Sequence, residues 1–377
     1  YKFTITENTP IEEDVALDPE LLGKVFENLL ASYNPETKTT ARKQTGSFYT
    51  PREIVNYMVD ESLIAYLKNE LKEWNFPEKE LDENLHKLTS YDPGNPFADK
   101  PEIAPVIIGA LNQSKILDPA CGSGAFPMGI LQKMVHLLQK LDIDNKIWKQ
   151  VQRNKVQHET SEVFNIDDKQ EREDKLKEIN NAFDEKINHP DFARKLYLIE
   201  NTIYGVDIQP IAVQISKLRF FISLVVDQKN NTDADNNFGI LPLPNLETKF
   251  VAANTLIGID KPDAQLSLFD TKEVEALEKE LKAVRHKLFS AKTPETKQKY
   301  RKKDEELRNA IAEKLKNLGW QHNSADRLAR WNPYDQNASS PFFDQEWMFD
   351  ISKGFDIVIG NPPYVNIYKI EKSTKDI

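Results

Sequence analysis

Four short apolar runs, KILD, IYGVD, KFVAAN and FDIVIGN, each close on a short polar side chain, and helix-compatible stretches separate them. Strands that alternate with helices build a parallel sheet covered by helices on both faces. This pattern restricts the chain to an α/β architecture. Ligands of such sheets lie beyond the carboxyl ends of the strands. The four runs lead into Asp118, Asp207, Asn254 and Asn361, so each delivers a compact polar group to that position.

Composition removes several alternatives. No apolar stretch approaches the roughly 18 residues of a membrane span, so no membrane helix is expected. Residues 1–18 are acidic and polar, unlike a basic-then-apolar signal peptide, which favours a reducing, cytoplasmic setting. The single Cys121 allows neither an internal disulfide nor a cysteine-based zinc site. Histidines are few and scattered, and no metal-ligand spacing or Ser-His-Asp arrangement stands out, so no metal is expected. A net charge of −10 disfavours wrapping nucleic acid by bulk charge. One basic stretch, 272–316, carries roughly +5 net.

Along the 377 residues, 1–45 reads as a helical segment and connector, with Asp18 as N-cap and Pro19 at the first helical position of LDPELLGKVFENLL. Residues 46–270 read as the first part of the core, interrupted at Ile143 to Phe192 by a charged helical insertion. Residues 271–319 read as a protruding helical hairpin. Val274, Leu277, Leu281, Val284 and Leu288 stripe its first helix, and Thr293 and Pro294 open its second. Residues 320–377 continue the core through the NPPY strand.

In DPACGSG, Gly122 and Gly124 fall in a strand-to-helix turn, where small residues let backbone N–H groups approach a ligand. A plain βα turn uses glycine in the same way. A dinucleotide site wants a third glycine and an acid about 20 residues on, whereas the next acid-ended strand arrives only at Asp207. Asp118, ahead of the turn, suits a ligand bearing a sulfonium and an α-amino group better than a pyrophosphate. Asp207 could accept from both hydroxyls of a ribose or cap the following helix, with Ile208 offering an apolar surface to an adenine. Thr50 in GSFYTP is a hydroxyl donor at a helix start or a simple cap.

NPPY is the sharpest signal. Proline fixes its own φ and biases the preceding residue toward extended geometry, so Asn361 and Pro362 are held stiffly. The Asn361 side-chain oxygen and the Pro362 carbonyl could together accept both hydrogens of an exocyclic amine. Tyr364 could stack on the attached ring, worth ~1–3 kcal/mol. An aromatic amine is a poor nucleophile, and two fixed acceptors favour the charge that develops as it attacks a methyl group.

Together, DPACGSGAF, IYGVDI and GNPPY, preceded by TGSFYTPREIVNYMV, resemble the S-adenosylmethionine-dependent N6-adenine DNA methyltransferases, in the gamma order of motifs. With LDPELLGKVFENLL, AANTLIG and GFDIVIGNPPYV the chain is similar to the methylase part of type IIG restriction-modification enzymes and related phage-defence methylases. The resemblance implies a Rossmann-like class I methyltransferase sheet, with S-adenosylmethionine as cofactor and adenine-containing double-stranded DNA as partner. It further implies a restriction nuclease region or subunit as an associate. Residue by residue, it implies cofactor contacts from Phe48, Tyr49, Thr50, Asp118, Ala120, Gly122, Gly124, Asp207, Ile208 and Asn254, and catalytic contacts from Asn361, Pro362, Pro363 and Tyr364. Related enzymes often carry aspartate where Asn254 stands, which points to backbone contact there. Because the sequence stops just past its fourth strand while the family fold continues into further strands and a target-recognition region, a truncated fragment is expected. Two other readings stay open: glutamine N5-methylation of protein, which also uses NPPY to grip a planar amide, and a non-catalytic binding module.

Overall fold

A computed structural model describes residues 50–151, 190–229, 232–233, 237–240, 244–260, 272–289, 291 and 293–362, with positions 25, 33–34 and 39–40 besides. The expected N-terminal helix and most of the insertion after Ile143 lie outside the described residues, as do Phe48, Tyr49, Pro363 and Tyr364.

The four apolar runs form one sheet. Strands β1 (Ile116–Asp118), β2 (Ile203–Asp207), β3 (Phe250–Ala252) and β4 (Ile357–Val358) are all parallel, in the order β3-β2-β1-β4. Ile116 stands opposite Ile203 on one side and Ile357 on the other, and Asp207 opposite Ala252. This register brings the polar ends of the strands to one edge of the sheet. The order reverses between β1 and β4, which makes the carboxyl ends of these two strands the natural crevice, with the β2 end beside it.

Side-chain alternation divides the buried strand residues between two cores. Ile116, Ile203, Phe250 and Ile357 face helices α1 (Arg52–Glu70), α2 (Glu78–Thr89), α3 (Ile103–Gln113), α4 (Ala125–Leu141), α5 (Pro190–Asn201) and α6 (Pro210–Val225). Leu117, Tyr204, Val206 and Val251 face the other way, toward α7 (Lys272–Phe289), α8 (Pro294–Asn317), α9 (His322–Arg330) and the short α10 (Gln345–Phe349). Each fully buried aliphatic side chain contributes ~1.5–3 kcal/mol to either core. Both faces of the α/β sheet are therefore covered.

The second core corrects one expectation. The α7–α8 hairpin does not protrude. Val274, Leu281, Val284, Leu307 and Ile311 share a core with the sheet residues Leu117, Val206 and Val251. An apolar stripe reveals that a helix is half buried, but not against what. The basic surplus of this stretch is also largely paired: Lys303 with Glu280 at 2.9 Å, Lys314 with Glu273 at 2.5 Å and Lys316 with Asp326 at 2.7 Å. Inside the hairpin, the wholly buried Asp304 accepts from the Nε atoms of Arg285 and Arg308, each at 2.8 Å. Thr293 caps α8 as its position suggests, its hydroxyl accepting from the Thr296 N–H at 3.2 Å.

No helix of the described residues is long and apolar enough to cross a membrane.

Candidate active site at the strand ends

The glycine turn follows β1 directly. Gly122 and Gly124 have φ of +53° and +86°, a left-handed region that other residues enter only with strain. α4 starts immediately after Gly124, where a Cβ would stand 2.4 Å from the Ser216 hydroxyl oxygen of α6. The turn thus rests against α6, and the Arg219 guanidinium holds the Ser123 carbonyl at 2.9 Å. A Cβ added at Gly122 meets nothing within 4 Å, so the backbone there is open to a ligand.

Asp207 at the end of β2 is tied to this turn. One carboxylate oxygen accepts from the Gly122 N–H at 2.9 Å and the other from the Gln209 N–H at 2.8 Å. Both oxygens keep further lone pairs for incoming hydroxyls. Burial raises its pKa, opposed by these two N–H donors. α6 is capped at Gln209, so Asp207 supports the turn before the helix while bracing the glycine loop. Ile208 beside it is exposed.

Asp118 ends β1 with 1% of its surface accessible. One oxygen accepts from the Ala120 N–H at 3.0 Å, and the other is buried without a hydrogen-bond partner. Burial pushes the carboxyl up to about 8, and the neighbouring Asp207 adds to the rise. It is therefore largely neutral at pH 7, and a nearby cation would favour its ionised form. Ionised, the orphan oxygen calls for a donor or a cation; protonated, it carries the hydrogen and calls for an acceptor.

β4 delivers the third component. A Cβ at Gly360 would lie 2.5 Å from an Asp118 oxygen, so the backbone ahead of NPPY passes directly against that carboxyl. The Asn361 amide nitrogen donates to the Thr50 hydroxyl at 3.2 Å. Thr50 is buried ahead of α1, whose N-cap position is taken by Pro51 without a side-chain cap, so the Thr50 hydroxyl serves Asn361 instead of the helix. With one N–H engaged by Thr50, the Asn361 carboxamide is oriented and offers its oxygen as an acceptor beside its second N–H. Pro362 is exposed next to it.

Asn254 stands apart. Its side-chain oxygen accepts from the Leu256 N–H at 3.1 Å and closes a turn, while its own N–H donates to Ser340 at 2.9 Å. The adjacent Thr255 donates to the Pro119 carbonyl at 3.2 Å, joining the β3 end to the glycine loop. The structure thus gathers Thr50, Asp118, Ala120, Gly122, Asp207 and Asn361 through direct contacts, with Asn254 connected by its neighbour. Gly360, Ser216 and Thr255 join the site without having been singled out. Only Gly360 had a visible signal, its place immediately before the two prolines.

Residues 201–377 match the family described as Eco57I restriction-modification methylase. Over 277 residues the chain is 27% identical to a protein of Methanocaldococcus jannaschii named "Putative type II restriction enzyme and methyltransferase", an alignment covering 71% of this chain and 19% of that relative. The chain accordingly spans about a fifth of the relative's length. These matches bear out the likeness to restriction-modification methylases, and the parallel α/β sheet agrees with a Rossmann-like methyltransferase fold.

Proposed function

We propose that this chain is the methyltransferase part of a type IIG-like restriction-modification or phage-defence enzyme, and that it moves a methyl group from S-adenosylmethionine to the N6 amine of a flipped adenine in DNA. The observation that carries the reading is the bond from the Asn361 nitrogen to Thr50, which orients the carboxamide and its acceptor oxygen, one residue from the Gly360 backbone that passes the buried Asp118. An amine-bearing substrate suits that acceptor, and a cationic ligand suits that carboxyl.

The residues fit the cofactor. The unpartnered Asp118 oxygen would take its positive end, the open backbone at Gly122 its chain, Asp207 its ribose hydroxyls and Ile208 its adenine. When bound, S-adenosylmethionine supplies a methyl group made electrophilic by a sulfonium. Asn361 Oδ1 and the Pro362 carbonyl would accept the two N–H bonds of the target amine and direct its lone pair at that methyl. As the nitrogen gains positive charge, those two acceptors strengthen their hold in the transition state more than in the ground state. Tyr364 would stack on the flipped base, and the surplus amine proton would pass to water.

The test uses the full-length parent protein with labelled cofactor and adenine-containing duplex. Asn361→Ala is expected to bind S-adenosylmethionine normally and to lose methyl transfer at least ~100-fold; Asp207→Ala is expected to lose the cofactor itself. Label on cytosine, or on protein glutamine instead of DNA, would overturn the substrate assignment. Failure of the folded chain to bind S-adenosylmethionine would favour a non-catalytic module.

A further inference from the structure

Away from the strand ends, on the outer edge of β3, α6 and the segment from α9 to Phe342 enclose a cleft of about 340 Å³. None of Asp118, Asp207, Asn254 or Asn361 lines it. Its charged lining is Lys217, Arg327, Arg330 and Asp335, two positive charges in excess within a chain of net charge −10. Its walls include the rings of Trp331 and Phe342.

Lys217 is the unexplained group. Only 6% of its surface is accessible, yet its ammonium makes no hydrogen bond and no ion pair among the described residues. The acid whose field reaches it is Glu247, and one oxygen of that carboxylate already accepts from Arg301 at 2.9 Å. Burial lowers the Lys217 pKa to about 8, opposed by the fields of Glu247 and Cys121. Leaving a cation buried and unpaired is expensive, and an anion entering the cleft would offset that penalty.

The two arginines are placed to share such an anion. Arg327 lies over the Phe342 ring at 5.1 Å and donates to the Pro341 carbonyl at 3.4 Å, a long bond that leaves most of its donors unused. Arg330, at the carboxyl end of α9, is exposed at the rim. A carboxylate brings two oxygens and one charge to the three cations, whereas a phosphate presents more of both. Asp335 offsets one of the three positive charges, and one of its oxygens accepts from the Asn337 N–H at 3.0 Å.

We propose that this cleft is a phosphate-binding subsite, separate from the methyl-transfer site, with Lys217 as its buried anchor and Arg327 and Arg330 as its outer donors. The phosphate could belong to the DNA backbone or to a free nucleotide whose base rests on Trp331, and competition tells them apart.

The experiment is calorimetry of the full chain with inorganic pyrophosphate at low ionic strength. Lys217→Gln is expected to weaken binding about tenfold and Arg330→Gln a few-fold, the loss of one charge-assisted contact each. S-adenosylmethionine affinity, measured in parallel, is expected to stay unchanged in both variants. Near pH 8 the wild type should take up protons on binding, because the anion draws the Lys217 amine into its charged form; Lys217→Gln should not. Displacement of pyrophosphate by a short duplex would assign the phosphate to DNA, and displacement only by ADP would assign it to a nucleotide. No pyrophosphate binding by the folded wild type, or equal binding by both variants, would overturn the proposal. Should Lys217→Gln fail to fold, the exposed Arg330→Gln carries the test alone.

Discussion

The two faces of the sheet are covered by different means. The first is packed by six helices drawn mostly from residues 52–225, through aliphatic contacts such as Leu111, Leu131, Leu138 and Ile203. The second is covered by the hairpin and the chain that follows it, through aromatic rings around a buried Arg285–Asp304–Arg308 cluster. In that cluster Arg285 also donates to the Trp347 carbonyl and stacks over Trp331 and Trp347, while Arg308 donates to the Ala329 and Trp331 carbonyls. The first face buries charge as well, Arg194 with Asp191 at 2.8 Å and Lys133 with Asp60 at 2.9 Å, but there each cation meets one carboxylate, whereas Asp304 meets two guanidiniums. The polar face admits one arrangement, because each guanidinium needs its own acceptors. These contacts tie both helices of the hairpin to α10 and to the end of α9.

The largest expected effect breaks that difference open. Asp304→Ala should destabilise the protein by ~3–5 kcal/mol in urea unfolding, since it strands two buried guanidiniums. Replacing all three cluster residues together by apolar residues of similar volume should recover most of that loss. On the other face, Leu138→Ala should lose about 3 kcal/mol by transfer and cavity formation, with no comparable rescue by changing its neighbours' polarity. Equal behaviour of the two faces would remove the distinction.

Asp118→Asn should act in the opposite direction, raising stability at pH 8 by roughly 1–3 kcal/mol while abolishing cofactor binding. The sign follows from the elevated pKa. The folded state holds the proton up to about 8, whereas an unfolded aspartate releases it near 3.8, so stability falls as pH rises through that window. Wild-type affinity for a cationic ligand should rise over the same pH range, and Asp118→Asn should flatten both profiles. The smallest effect is at the solvent side of the hairpin: Lys314→Ala removes an exposed pair with Glu273 and should leave the urea unfolding midpoint essentially unchanged.

Much of the sheet was legible because strands and turns write locally. Each apolar run and its polar terminus appear where the pattern placed them, and Gly122 and Gly124 adopt the positive φ that a tight turn demands. α2 and α3 were not read, although α3 ends only two residues before β1 and the glycine motif. α3, IAPVIIGALNQ, does carry helical spacing in Ile103, Ile107 and Leu111. What covers the second face was hidden because a helix stripe names no partner. In the site, the residue types were visible but their mutual commitments were not. The lost solvation of Asp118, the diversion of Thr50 from capping α1 to holding Asn361, and the closed turn at Asn254 all depend on contacts across the fold.

The bond between Thr50 and Asn361 joins positions 311 residues apart. The start of α1 and the turn that follows β4 are thereby held side by side at the rim of the site. A displacement of α1 reaches the Asn361 carboxamide through one contact, so the first helix of the fold and the last strand act on the same acceptor although nearly the whole described chain runs between them.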